Sequence, residues 1–193
     1  MIIGDSREYL YENILPKNSI CAEIGVSGGL NSDRIIKIST PKKLFLIDMW
    51  DHSKYRDLPP YYSTKSYNDD KEKTYENVIN KYKNNNNVKI IRKLSVDGSK
   101  DFDDNYFDWI YIDASHDYES VKEDCLAWWP KIKKDGYLCG HDYFNRSIAV
   151  PTGNIVVGVG RAVNEFIENN NLELYYKGNG TNDEISDWCI LKV

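Results

Sequence analysis

The sequence predicts an α/β fold: a doubly wound, mostly parallel seven-stranded sheet that ends in an antiparallel strand pair. Two observations predict it. Short apolar runs alternate along the chain with segments whose apolar residues recur at helical spacing. The last two strand-like runs are instead joined by the turn-rich KGNGTNDE, which suits a hairpin-like return better than a crossover helix.

Taken in order, the chain opens with a helix within residues 1–17, since Asp5 and Glu8 have capping-box spacing and Pro16 stands just past its end. Buried strands follow at Ile20–Gly25, Lys43–Asp48, Val88–Lys93, Phe107–Asp113 and Gly136–Gly140. Between them, Tyr75, Val78, Ile79 and Tyr82 form one helical stripe, and Tyr118, Val121, Cys125, Trp128 and Trp129 a second, closed by Pro130. Val159, Val163, Phe166 and Ile167 form a third, and packing against the sheet accounts for all three. Leu172–Lys177 and Ile185–Lys192 complete the sheet. One stretch breaks the short-loop pattern. Residues 51–73 read either as a lid, with Trp50, Tyr55, Tyr61, Tyr62 and Tyr67 suited to covering a small organic molecule, or as a partly helical surface insertion.

A chain of 193 residues is long enough to bury a substantial core, so one domain over 1–193 is expected. With 41% hydrophobic and 28% charged residues, wholesale disorder is excluded. A formal net charge of −5 offers no broad basic field, so nucleic acid is not an expected partner. No apolar run approaches ~18 residues and the start has no signal-peptide pattern, so no membrane partner and a cytoplasmic location are expected. Cys21, Cys125, Cys139 and Cys189 never form C-x-x-C and sit in apolar runs, as small buried hydrophobes do in a reducing compartment.

In open parallel sheets, ligands bind at the carboxyl ends of the strands. The first buried strand ends there in AEIGVSGG, where Gly25, Gly28 and Gly29 permit a sharp turn and close approach of backbone to a ligand. The spacing is not the G-x-G-x-x-G that cradles a pyrophosphate, and Glu23 beside the turn would repel one. A carboxylate there suits a cationic ligand. The next strand, LFLID, delivers Asp48, 20 residues after Gly28, where an acid can accept both hydroxyls of a ribose. Together these features point to a nucleoside-type cofactor. WIYIDASHDYE and YLCGHDY then bring Asp113, His116, His141 and Asp142 to the same edge.

AEIGVSGG, LFLID, YIDASHDYESVKEDCLAWWPKIKKDGYLCGHDY and GRAVNEF resemble a class I S-adenosylmethionine-dependent methyltransferase with a Rossmann-like fold, of the methyltransferase-24 type that includes sugar and natural-product O-methyltransferases. The resemblance spans about residues 18–193, and Tyr111–Tyr143 is its most specific part. It implies an enzyme that methylates a hydroxyl of a small molecule, a sugar among the candidates. Glu23, Gly25, Val26, Gly28 and Gly29 would line the methionine part of the cofactor, and Asp48 the ribose. Met49 and Trp50 would flank the adenine, with Ser95 and Val96 near it, while Asp113 would stand beside the methyl-transfer centre and His116 would serve as general base.

Metal-dependent relatives place a divalent ion, Mg²⁺ for example, between acids at two adjacent strand ends, and Asp113, His141 and Asp142 match that place. His141 stands where such relatives often have a second acid, and Ser115 where some have an aspartate base; a histidine makes the set less oxygen-rich than Mg²⁺ prefers. His141 could equally orient Asp142 or meet substrate. Lids of this kind can be completed by a neighbouring subunit, so a homo-oligomer is compatible with the chain. A nicotinamide-dependent oxidoreductase is the competing enzyme class, disfavoured by the glycine spacing and Glu23. A non-catalytic cofactor-binding module is the third, disfavoured by the Asp113, His116 and Asp142 cluster.

Overall fold

A computed structural model describes residues 1–4, 7–51, 65–143, 148–149, 156–178 and 186–193. Its strands are β1 (Ile2–Gly4), β2 (Ile20–Ile24), β3 (Lys43–Asp48), β4 (Val88–Arg92), β5 (Phe107–Ile112) and β6 (Ile132–Tyr143), followed by β7 (Ile148–Ala149), β8 (Val156–Val157), β9 (Leu174–Gly178) and β10 (Ser186–Leu191). Eight of them form one sheet in the order β1-β9-β10-β6-β5-β2-β3-β4. From β6 to β4 the pairing is parallel, and β10 runs antiparallel to both β6 and β9. The seven expected strands are all present. The eighth, β1, pairs parallel with β9 through Ile2↔Tyr176 and Gly4↔Gly178. Three residues carry no readable periodicity, which is why IIG reads as the start of a helix.

The expected N-terminal helix is correspondingly shorter. It comprises α1 (Arg7–Tyr9) and a π-helical turn over Leu10–Ile14, which stops at Leu15, whose N–H bonds Leu10 O at 3.0 Å. Asp5, one half of the capping-box reading, lies outside the described residues. The remaining helices are α2 (Leu30–Ser39), α3 (Lys65–Tyr82), α4 (Ser95–Ser99), α5 (Tyr118–Trp128) and α6 (Val159–Asn169). Asp117 caps α5 by accepting a bond from Ser120 N at 3.0 Å. Helix α3 begins well inside the 51–73 stretch, in keeping with its reading as a partly helical insertion. KSYNDDKEK contains no glycine or proline, so nothing breaks the helix as it extends from the Tyr75 stripe toward the N-terminus. Residues 52–64 of that insertion, with Tyr55, Tyr61 and Tyr62, lie outside the described residues. In the turn-rich stretch after Tyr143, β7 and β8 pair as a short antiparallel ladder.

Alternating strand residues face two cores, as a doubly wound sheet requires. On one face Ala22, Ile24, Ile110 and Ile112 meet Val121, Cys125 and Trp128 of α5 and Ala162, Val163 and Phe166 of α6. On the other, Cys21, Leu44, Leu46, Trp109 and Tyr111 meet Leu10, Tyr11, Ile35, Val78 and Tyr82. Burying each such large apolar side chain stabilises the fold by about 1.5–3 kcal/mol. All four cysteines are buried and unpaired, and Cys139 and Cys189 are register partners across β6 and β10. Among the described residues no helix is long and apolar enough to cross a membrane.

Gly140 sits where β6 passes closest to its neighbours: a Cβ there would collide with the Ile112 carbonyl oxygen and press on the Trp188 ring. Gly140→Ala should therefore destabilise the protein by about 1–3 kcal/mol, read as a lower denaturant midpoint with an unchanged slope.

Candidate active site

The turn after β2 is shaped by its neighbours. Gly25 has φ +86°, and a Cβ on it would run into the backbone of Asp113 and Ala114. Its N–H bonds Ile47 O at 2.9 Å, while Asp113 N bonds Ile24 O at 2.7 Å, so three strand ends meet at this residue. Gly29, at φ +74°, starts α2, and its carbonyl accepts the Tyr82 hydroxyl at 2.8 Å. Among the described residues, nothing stands within 4 Å of where a Cβ on Gly28 would lie. Packing does not require a glycine there, but open space above it leaves room for a ligand.

Asp48 holds this turn. Its Oδ2 accepts bonds from Val26 N and Ser27 N, both at 2.9 Å, and its Oδ1 accepts one from Trp50 N at 2.8 Å. A carboxylate offers about four acceptor sites, so the capacity left for a ribose lies mainly on Oδ1. Trp50, expected to flank the adenine, is packed in the core. It is 1% exposed, and its Nε1 donates to Ser27 O at 2.9 Å, bracing the turn from beneath.

Above the turn lies a cleft of about 510 Å³. Glu23, Gly25, Val26 and Gly28 line it, as do Asp48, Met49, Ser95, Asp113 and His116. Of the expected cofactor residues, Gly29 and Trp50 do not line it, and Val96 lines a smaller adjoining pocket of about 140 Å³ together with Ser95 and Asp124. Glu23 is 1% exposed and satisfied from within, accepting Asn31 Nδ2 at 3.0 Å and the Ser32 hydroxyl. Burial pushes its carboxyl up to about 8, and the bonds from Ser32 and Asn31 offset this only in part. In the free protein at neutral pH it is therefore mostly protonated, not the standing negative charge that the sequence suggested.

At the ends of β5 and β6 the two histidines converge on one acid. Asp142 Oδ2 lies 2.8 Å from His116 Nδ1, and its Oδ1 lies 3.1 Å from His141 Nδ1. Burial alone would push Asp142 up, but the two imidazole contacts overcome it and hold the carboxyl well below the usual range. His116 is raised by its hydrogen bond to Asp142, against the opposing effect of burial. Asp113 is raised by burial, which outweighs nearby Arg7 and His141. Asp113, His141 and Asp142 each offer a ligand atom within 4.8 Å of the others, so the three expected metal ligands do come together.

Arg7 escaped sequence reading. It lines the cleft near Glu23 and Asp113, and reaches Asp187 through Nε at 3.3 Å and Asp113 through an Nη at 3.5 Å. Its guanidinium lies 5.3 Å from the centroid of the Tyr111 ring, and the Tyr111 hydroxyl donates to Asp187. A lone arginine in a segment read as a helix gives no signal of this. Asp124 was also missed. It is buried on α5, accepts the Ser95 hydroxyl and is pushed up to about 7 by burial.

The family model described as a methyltransferase domain, of the methyltransferase-24 type, matches residues 22–143, more than half of the chain. The chain belongs to this methyltransferase family. Comparison with curated proteins finds no significant match. Among solved structures, a candidate methyltransferase from Streptococcus mutans in complex with S-adenosylhomocysteine is similar at 15% identity and TM-score 0.60, over 96% of this chain and 95% of that one. The N-methyltransferase NodS from Bradyrhizobium japonicum, also with S-adenosylhomocysteine, is similar at 13% identity and TM-score 0.63, over 91% and 79%. A candidate caffeoyl-CoA O-methyltransferase from Staphylococcus aureus is similar at 17% identity and TM-score 0.57, over 90% and 77%. At such identities the shared property is the fold.

The buried acids make stability depend on pH. Glu23 holds its proton in the folded state up to about 8, against an ordinary value of 4.5, and Asp124 holds its own up to about 7. The folded state thus binds more protons than the unfolded chain between these limits, and stability of the free protein falls as pH rises through them. Glu23→Gln should flatten the fall in melting temperature between about pH 5 and about pH 8. An equal fall in both proteins would show that Glu23 is ionised throughout.

Proposed function

We propose that the protein is an S-adenosylmethionine-dependent O-methyltransferase acting on a hydroxyl of a small molecule, a sugar being one candidate acceptor. The observation that carries this reading is His116, backed by Asp142 at 2.8 Å and facing the cleft. The cleft residues fit such a cofactor. Gly28 leaves its backbone open to it, and Asp48 and Glu23 offer carboxyls toward its hydroxylated and cationic parts. The nicotinamide reading falls away with membership of a methyltransferase family.

When bound, S-adenosylmethionine supplies an electrophilic methyl group on a sulfonium, which passes to the acceptor oxygen by in-line displacement and leaves a neutral thioether. The protein's own task is to position the acceptor and take its proton. Asp142 accepts the Nδ1 proton of His116, which leaves Nε2 as the basic nitrogen. The same contact raises His116, making it a stronger base that reaches its neutral, competent form at higher pH than an isolated imidazole. Asp113 stands beside it, next to the glycine turn.

Asp113, His141 and Asp142 fit a divalent metal, which would lower the pKa of the acceptor hydroxyl. Two carboxylates and an imidazole suit Mn²⁺, Fe²⁺ or Co²⁺ at least as well as Mg²⁺.

His116→Ala should lower methyl transfer from labelled S-adenosylmethionine to hydroxylated acceptors by about 10²–10⁴-fold, with affinity for S-adenosylhomocysteine nearly unchanged. Full activity in the variant would remove the base assignment. In the wild type, kcat should rise with pH through the raised His116 value. Excess EDTA should abolish turnover, with Mn²⁺ restoring it; turnover unaffected by EDTA would sink the metal assignment alone.

A further inference from the structure

The methyltransferase reading gives Arg7, which lines the cleft, no task. Arg7 reaches the cleft from outside the matched family region, carried there because β1 fixes the preceding residues beside β9. Its side chain is only 15% exposed, and its ion pairs, at 3.3 Å to Asp187 and 3.5 Å to Asp113, exceed the 2.7–2.9 Å typical of a charge-assisted bond. A guanidinium carries five N–H donors in a rigid fork. Here it is held in place, over the Tyr111 ring and near two acids, without its donors being consumed by them.

The surroundings say what the fork is for. Glu23, Asp113 and the backbone of Gly25 form this end of the cleft. Asp113, and Glu23 once it gives up its proton, favour an ammonium there and disfavour a carboxylate. A free amino-acid group carries both charges, so a site that takes it needs one cation among the acids. Arg34 also lines the cleft, but it is about half exposed and pairs with Glu8 at 3.2 Å. Arg7 is the better-enclosed cation.

On the reading that the cofactor is S-adenosylmethionine, we infer that Arg7 binds the α-carboxylate of its methionine moiety, opposite the ammonium held at the Glu23 and Asp113 side. The N-terminal segment is then a wall of the cofactor site. Arg7 selects for a cofactor that retains its carboxylate.

Calorimetric titration with S-adenosylhomocysteine and with its decarboxylated analogue, which lacks only the carboxylate, tests this. The wild type should bind S-adenosylhomocysteine about 10- to 100-fold more tightly than the analogue. Arg7→Gln should weaken S-adenosylhomocysteine by a similar factor while leaving the analogue within about threefold, which collapses the discrimination. Arg7→Lys should retain part of it, and Arg34→Gln should retain all of it. Equal weakening of both ligands by Arg7→Gln would mean that Arg7 merely shapes the site, and unchanged discrimination would overturn the inference outright. Thermal melts of each variant separate a binding loss from a folding loss. A wild type that binds neither ligand would instead overturn the cofactor reading itself.

Discussion

The site depends on how closely two backbone segments can approach at the carboxyl ends of β2 and β5. Gly25 touches the Asp113 and Ala114 backbone with no room for a side chain, and the Ile24 and Ile47 carbonyls tie the three strands together at that level. The resulting turn would have unsatisfied N–H groups at Val26 and Ser27 were it not for Asp48, which accepts both. Because β5 is pinned there, Asp113 and His116 emerge at a fixed height. The parallel pairing of β5 with β6 then sets His141 and Asp142 beside them. Cofactor cleft and acid–base cluster are thus two outcomes of one backbone contact.

Similar carboxyl groups on this edge have opposite fates. Glu23 and Asp142 are both poorly exposed, yet one is held protonated near neutrality and the other strongly ionised. The difference lies in their partners. Glu23 receives bonds from a neutral amide and a hydroxyl, whereas Asp142 lies between two imidazoles that can carry charge. A protonated Glu23 also means that arrival of a cationic group at the turn is coupled to release of a proton.

Much of this was legible in the sequence because strand ends are legible. Where a buried run stops in an open parallel sheet, the next residues face the ligand edge, and Asp113, His116, His141 and Asp142 all follow that rule. The glycine spacing likewise signalled a turn that is not a pyrophosphate cradle. What stayed hidden depends on distant pairing or on burial. Arg7 reaches the site because Ile2 pairs with Tyr176, a contact between chain segments with no local pattern. That Trp50 braces the turn, and that Asp48 is largely engaged by backbone, follows from side-chain directions beyond the reach of periodicity. The protonation of Glu23 reflects enclosure by Asn31 and Ser32, whose spacing is merely that of a helix start.

The facing Cys139 and Cys189, with Cys21 and Cys125 elsewhere in the core, carry a practical consequence. While the sheet is closed, these thiols are shielded from oxidants and labelling reagents. Once it opens, all four become reactive together, and refolding competes with air oxidation into non-native cross-links. Heat inactivation without reductant would then be a ratchet, and the rate at which a thiol reagent is consumed would serve as a built-in clock for global opening.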